Sequence, residues 1–315
     1  MTARKIYLND DTARSPLRRR GTMIIVAAVL LAAVIAGHRK VPNVRGLGSL
    51  IDTLAPLFAA GIPLLVLAAL VRRSRRALVS VLIPTVVWAA FFGSAWLPAG
   101  GGPVQLRVVS QNLRADNPAP ADTVAALVAT EADLIGLQEV ATDTRDSIER
   151  ELTQTHPHHV IVSTVALWSR FPIREYVGVD TGMDWTRALR AVIATPQGDV
   201  VVYVVHLGSA RPGNTGTRDR TVDRLAMVLR QETAQRLIVL GDLNTATTDR
   251  VIAPLTRLLR DAQADAGQGP GFTWPSAVPI TRPDHIFYRG LTAASAGVIR
   301  TPASDHRAVT AGFRG

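Results

Sequence analysis

The sequence predicts three membrane-spanning helices followed by an α/β domain, a mixed sheet system with helices outside it. Three observations predict this. The composition breaks near residue 100, before which apolar stretches at Thr22–Gly37, Leu50–Val71 and Ala77–Pro98 fill most of the chain. Beyond it, short apolar runs alternate with segments whose apolar residues recur at helical spacing. Towards the C-terminus, closely spaced strand runs take over, which favours a mixed rather than a purely parallel sheet system.

A helix needs roughly 20 apolar residues to cross the hydrocarbon core, with about 17 the practical minimum. The second and third stretches exceed that length, and the first is marginal. Arg18-Arg19-Arg20 before an Ala-rich run also fits the start of a signal peptide. Two further spans follow at once, which favours a retained anchor. Six basic residues precede the first stretch (Arg4, Lys5, Arg14, Arg18, Arg19, Arg20), and Arg72, Arg73, Arg75 and Arg76 separate the second from the third. Arg39, Lys40 and Arg45 lie between the first and second. Basic flanks stay cytoplasmic, so the division is a cytoplasmic basic tail (1–21), three transmembrane helices (22–98), a flexible linker (99–103) and a domain (104–315) outside the plasma membrane. Trp88 and Trp96 suit the third span, with Trp96 near its outer interface.

The net charge of +10 has the same origin. Residues 1–100 hold 13 Lys/Arg and 3 Asp/Glu, whereas residues 101–315 hold 22 Arg and 22 Asp/Glu. The domain after the spans is neutral and lacks the bulk positive field of a duplex binder, so nucleic acid is not the expected partner; the lipid bilayer is. No cysteine is present, which excludes disulfides, thiolate metal sites and a cysteine nucleophile.

Within the domain, Val104–Asn112 reads as a strand entering a loop, Ala121–Thr130 as a helix and Leu134–Leu137 as a buried strand. Asp143–Leu152 has a helical pattern, and Val160–Trp168 reads as one strand running into a turn at Ser169–Ile173. Ala188–Thr195 and Val200–Val205 flank Pro196-Gln197-Gly198-Asp199, a hairpin signal. Arg218–Gln231 is an amphipathic helix, Leu237–Leu240 a buried strand and Val251–Leu259 a helix. The acidic 261–271 stretch reads as a surface loop. Strands at His285–Tyr288, Ala296–Ile299 and Ala308–Gly312 complete the chain.

Five strand-like runs end in polar residues: Ser110-Gln111-Asn112, Gln138-Glu139-Val140, His206-Leu207-Gly208, Asp242-Leu243-Asn244 and Ser304-Asp305-His306. A sixth group, Arg282-Pro283-Asp284-His285, precedes one. An Asp after a buried strand is often only a cap or turn former, but the recurrence argues for convergence on one pocket. Carboxylate, amide and imidazole groups without thiolates suit a hard divalent ion, Mg²⁺ or Mn²⁺, with Glu139 the best single ligand candidate. Two readings fit Arg211, Arg218, Arg220 and Arg224: a solvated loop and helix face, or a lid whose guanidiniums grip a second phosphate. Arg187 and Arg190 are weaker candidates for that task. His156-Pro157-His158-His159 has a metal-site composition but reads as surface.

Gly241-Asp242-Leu243-Asn244 matches the Gly-Asp-(Phe/Leu)-Asn signature of the endonuclease/exonuclease/phosphatase superfamily, and Ser304-Asp305-His306 its C-terminal signature. The resemblance runs from about Leu106 to the C-terminus. It implies a four-layer α/β/β/α sandwich after the transmembrane helices. It also implies Glu139 as metal ligand helped by Asn112, with Asp305 beside the metal. Asp242 and Asn244 would position water and phosphate. His306 would be a general base or phosphate-polarising cation oriented by Asp284, and His206 a donor to a phosphate oxygen or leaving group. Relatives often carry Asn-x-His where this chain has Val204-Val205-His206, and Asp-Tyr where it has Asp284-His285. The membrane architecture resembles actinomycete membrane proteins linked to resistance to teicoplanin-type glycopeptides. That likeness implies a lipid-linked (pyro)phosphate substrate, with undecaprenyl pyrophosphate cleaved to the monophosphate. Pro56, Pro63 and Pro84 allow kinks by which the spans could shelter a polyprenyl chain. The competing expectations are an extracellular nuclease, a phospholipase- or sphingomyelinase-like phosphodiesterase, and a non-enzymatic binder.

Overall fold

A computed structural model of the chain describes residues 21–97, 99–211 and 213–315. The basic tail and the end of the third apolar stretch at Pro98 lie outside the described residues. Two compact units form: Pro56–Gly93 with the chain up to His38, and Arg39–Ala55 with Ser94–Gly315.

The first unit contains α1 (Thr22–Gly37), whereas α2 (Leu47–Leu54) belongs to the second. Helices α3 (Gly61–Val71), α4 (Arg75–Ser80) and α5 (Leu82–Phe92) return to the first unit, where α1 packs against all three. Three helical stretches, Thr22–Lys40, Val44–Val71 and Arg75–Trp96, are long and apolar enough to cross a membrane. Leu30, Leu64, Leu67, Val86 and Phe91 stand exposed, a surface suited to lipid rather than water. The Trp88 indole N–H donates to the Pro56 carbonyl at 2.9 Å, satisfying two polar groups inside an apolar unit.

The second unit is a sandwich of two six-stranded sheets. The first sheet has the order β11-β12-β1-β2-β4-β3, from β1 (Leu106–Asn112), β2 (Leu134–Gln138), β3 (His158–Val162), β4 (Val165–Ser169), β11 (Thr292–Ile299) and β12 (Ala308–Arg314). The second runs β5-β6-β7-β8-β10-β9, from β5 (Ile173–Gly178), β6 (Ala188–Thr195), β7 (Gly198–His206), β8 (Leu237–Asp242), β9 (Arg260–Asp261) and β10 (Asp284–Arg289). Val108, Leu134 and Leu167 of the first sheet meet Val202, Val204 and Leu240 of the second in the central core. Helices α6 (Pro120–Val128) and α7 (Arg145–Leu152) bury Val124, Leu127, Ile148 and Leu152 against the outer face of the first sheet. Helix α8 (Gly216–Gln231) does the same on the second with Val222, Leu225, Ala226 and Leu229, spaced on one helical face. The four α/β/β/α layers of the expected sandwich are thus present.

Several elements differ from expectation. Val160–Trp168 is a hairpin of β3 and β4, turning at Ser163 in the left-handed region (φ 55°). Ser163-Thr164 lacks the Gly or Asn that would have signalled the turn. β5 follows directly, and its mostly exposed Ile173–Gly178 run offered no buried pattern. The acidic 261–271 stretch carries α10 (Ala262–Ala266), α9 being Ala253–Thr256. Its Asp265 accepts from the Tyr288 hydroxyl at 2.7 Å. The 99–103 stretch, expected to be a flexible linker, is tied to β11 by Gly101 N–H donating to the Ala294 carbonyl at 2.7 Å.

Candidate active site

The candidate residues converge because the two sheets end their parallel pairs at the same edge. β1 and β2 run parallel and finish at Asn112 opposite Gln138. β7 and β8 finish at His206 opposite Asp242, and antiparallel β10 begins with Asp284 beside Asp242. The carboxyl ends of parallel strands leave a crevice for ligand. Backbone geometry helps to shape it. Glu139 and Asn244 adopt left-handed φ values of 58° and 50° just beyond their strands, an arrangement that persists only where surrounding structure enforces it. Gly241 has φ 142°, and a Cβ there would sit 1.9 Å from the Val205 carbonyl oxygen. The glycine of the Gly-Asp-Leu-Asn run is therefore required by the close approach of β7.

Asn112 is the hub. Its Nδ2 donates to Glu139 Oε1 at 3.1 Å and to Asp242 Oδ2 at 3.0 Å. Glu139 Oε2 also accepts from Ala115 N–H at 2.8 Å. His206 Nε2 lies 3.7 Å from both Glu139 and Asp242. His306 Nδ1 bonds Asp284 Oδ2 at 2.8 Å, and its Nε2 lies 4.0 Å from Asp242. Asn244 N–H donates to Asp242 Oδ1 at 2.8 Å, and its side-chain amide donates to the Leu207 carbonyl at 3.1 Å. Ser304 clamps the last loop to β1: its hydroxyl donates to the Asn112 carbonyl at 2.7 Å and accepts from His306 N–H at 3.0 Å.

Burial and charge separate the two imidazoles. Burial pushes His206 down to about 4, with Arg187 and His306 adding to the effect against Asp242. Burial also opposes the charge on His306, but Asp284, aided by Asp242 and Asp305, carries it up to about 10. Near neutral pH the site thus pairs a neutral His206 with a positively charged His306, the kind of divergence that assigns different proton roles to like side chains. Asp242 is pushed up by burial and by repulsion from Asp284.

A divalent cation fits this donor set. Ligand-type atoms of Asp242, Asp284 and His306 lie within 4.8 Å of one another, and with His306 protonated the two carboxylates are the donors available to a cation. Asp284 Oδ1 is buried without a hydrogen-bond partner, and two adjacent buried carboxylates gain from an added positive charge. Glu139 and Asn112 adjoin this group. Asp305 stands exposed at its edge, where its main-chain carbonyl accepts from Ser276 N–H at 2.6 Å.

The arginines divide. Arg211 lines the cavity that reaches His306. Arg190 instead joins Glu232 at 2.7 Å and Glu175 at 2.8 Å, committed to the second sheet's own ion pairs. Arg218, only 2% exposed, pairs with Asp249 at 2.9 Å and Asp219 at 2.6 Å. Its guanidinium is held by protein anions rather than offered to a phosphate. Exposed Arg220 donates to the Thr217 hydroxyl at 3.3 Å, and Arg224 pairs with Asp180 at 3.0 Å. Of the arginines between Arg211 and Arg224, Arg218 and Arg224 are held by protein carboxylates, and Arg211 lines the cavity. His285 is structural: it is buried, stacks on Phe287 and bonds the Thr245 carbonyl at 2.8 Å. His156 is buried rather than on the surface, bonded to the Ala132 carbonyl at 2.9 Å, while His159 stacks on Trp168.

Two contacts of the site carry no signal in the sequence. Arg187 places Nη2 2.6 Å from His206 Nε2 and stacks over Trp185. Thr273 donates to Asp284 Oδ2 at 2.5 Å, a contact made from the loop that leads into β10, with no local motif to announce it.

No curated protein sequence matches the chain. Among solved structures, it is similar to Bacteroides thetaiotaomicron mannosyl-6-phosphatase Bt3783 at 16% identity and TM-score 0.57, over 67% of this chain and 100% of that one. D. rerio TDP2 complexed with single-strand DNA product is similar at 19% identity and TM-score 0.57, over 67% and 99%. Beta toxin from Staphylococcus aureus is similar at 16% identity and TM-score 0.53, over 65% and 99%. At these identities the likeness establishes the fold. The sequence model of the Endonuclease/Exonuclease/phosphatase family matches residues 104–306, which contain every strand-end residue of the site, and the chain belongs to that family.

Proposed function

We propose that the protein is a membrane-anchored, divalent-metal-dependent phosphohydrolase that faces outward from the plasma membrane and converts undecaprenyl pyrophosphate to the monophosphate. The observation that carries this reading is the membership of the second compact unit. Residues Arg39–Ala55, which link the first two apolar stretches, fold with the catalytic sandwich. Arg250 Nε donates to Asp52 Oδ2 at 2.6 Å, and Arg250 Nη1 to the Val41 carbonyl at 2.7 Å. A membrane-proximal loop that borders the active site suits a substrate whose phosphates lie at the bilayer surface. It also requires that loop and the catalytic domain to share one side of the membrane, as the basic-residue distribution predicts.

In this reaction a water oxygen attacks the terminal phosphorus, the bridging P–O bond breaks, and inorganic phosphate leaves the lipid monophosphate. Glu139, Asp242 and Asp284 would hold the cation, which supplies Lewis-acid polarisation of a phosphoryl oxygen. The His306 imidazolium, fixed by Asp284, opposes the charge on the phosphoryl group and holds a proton at Nε2. Asn244 and Asn112 hold the Asp242 carboxylate in place. Arg211 offers positive charge to the second phosphate. Participation in resistance to teicoplanin-type glycopeptides would follow from faster recycling of the carrier lipid.

The DNA complex of the similar D. rerio protein raises a nuclease reading, and the domain's zero net charge counts against it. A side-by-side assay of purified full-length protein with Mg²⁺ separates the two. Phosphate release from undecaprenyl pyrophosphate without plasmid nicking is expected; salt-sensitive nicking without phosphate release would favour the nuclease.

A further inference from the structure

Helix α2 is amphipathic in the inverted sense. Its polar Ser49 and Asp52 are buried against the sandwich, while Leu47 and Leu50, one helical turn apart, are 51% and 55% exposed. The polar face is fastened by specific contacts. Asp52 accepts from Arg250, Arg218 Nη2 donates to Ser49 Oγ at 2.7 Å, and the Ser49 hydroxyl also bonds Asp249. An ion pair and the Ser49 hydrogen bonds thus hold the helix with its leucines turned away from the core. Water gains nothing from that arrangement; an apolar ligand does.

The leucines line a cavity of about 610 Å³, within the roughly 300–1,000 Å³ usual for small-ligand sites. Val44, Ala246 and Trp274 extend its apolar wall, and its inner end reaches Asn244 and His306. Arg45 and Arg211 supply cations to the same wall. One space therefore joins catalytic groups, positive charge and a hydrocarbon-lined trough.

We propose that this cavity binds the phosphate-proximal isoprene units of a polyprenyl diphosphate, with α2 as the element that selects for a chain. The inference rests on the lipid-diphosphate reading above and adds to it a chain-recognition site within the catalytic unit rather than between the membrane helices. Continuity with His306 and the cationic wall favour a chain that carries its own phosphate over bulk bilayer lipid.

The test is photolabelling of full-length protein in detergent and Mg²⁺ with a farnesyl methylenebisphosphonate carrying a diazirine on its first isoprene unit. Labelling is expected at residues 44–53 or 274–281, displaced by undecaprenyl phosphate and not by equal phosphatidylglycerol. Labelling confined to the apolar helices, no labelling, or equal displacement by the phospholipid would overturn the proposal, the last making this face a bilayer contact. As a second measurement, the preference in kcat/KM for farnesyl over methyl diphosphate should fall about tenfold in Leu47→Asn/Leu50→Asn, the effect of losing roughly one buried leucine contact. An unchanged preference in a variant that melts like the wild type would also refute it. The two readings fail separately. Specific labelling without hydrolysis of any polyprenyl diphosphate removes the proposed reaction and keeps the site; hydrolysis with labelling elsewhere does the reverse.

Discussion

Glu232→Gln isolates one buried charge, and its effect can be worked through quantitatively. Glu232 is the residue that follows the last turn of α8, and its side chain is 7% exposed. Oε2 accepts from Arg190 Nε at 2.7 Å and from the Tyr203 hydroxyl at 2.9 Å, and Oε1 from Ala234 N–H at 2.9 Å. Burial alone would push the carboxyl up, but Arg190, the Ala234 amide and Tyr203 together bring it from 4.5 down to about 2. A carboxyl depressed on folding stabilises the protein above its unfolded value and loses that contribution as pH falls through the folded value. The contribution is about 3 kcal/mol at neutral pH, from roughly 1.4 kcal/mol per unit. It fades from about pH 4.5 downward and is mostly gone by about pH 2. Glutamine keeps the shape and cannot titrate. The sandwich melt, followed by tryptophan fluorescence of full-length protein in detergent, should therefore drop by roughly 6–12 °C at pH 7 in the variant. The gap between wild type and variant should close towards pH 2. No gap at neutral pH, or one independent of pH, would refute the assignment of Arg190 and Glu232 to structure.

Three further outcomes follow from the geometry. His306→Ala and Asp284→Asn should each lower phosphate release by about 10²–10⁴-fold; near-normal turnover by either would remove the dyad from the reaction. Gly241→Ala forces a Cβ against the Val205 carbonyl and should destabilise the domain by about 3 kcal/mol or more, read as a lower melting temperature. Arg250→Ala takes the partner cation from buried Asp52 and should cost about 3–5 kcal/mol of local stability. Proteolysis between residues 39 and 46 should then become fast; unchanged resistance would mean that the clasp does not hold α2.

The strand ends were legible in the sequence because buried runs are followed at once by a chemical residue. Asn112, Glu139, His206 and Asp242 fall where that run-and-stop pattern placed them, and Asp284 opens the strand it was expected to precede. Position within the run does not reveal the partner of a side chain. Arg190 and Arg218 have the composition of phosphate ligands, but their guanidiniums are spent on Glu232 and Asp249, which lie 42 and 31 residues away. Thr273 and Arg187 reach Asp284 and His206, 11 and 19 residues away, only once the intervening loop and strands have folded. The largest departure concerns Leu47–Leu54. Its hydrophobicity merges with that of the following helix, so Leu50 reads as the start of a span. Ser49 and Asp52 at that position are the residual signal, since a lipid-facing helix has little use for a buried aspartate.

One measurement tests the proposed reaction most directly: inorganic phosphate released from undecaprenyl pyrophosphate by purified full-length protein, with and without Mg²⁺, beside Glu139→Ala and His306→Ala. Metal-dependent release by the wild type, abolished by EDTA and by either substitution, is the predicted result. No release by the wild type, or release that both variants retain, would contradict it.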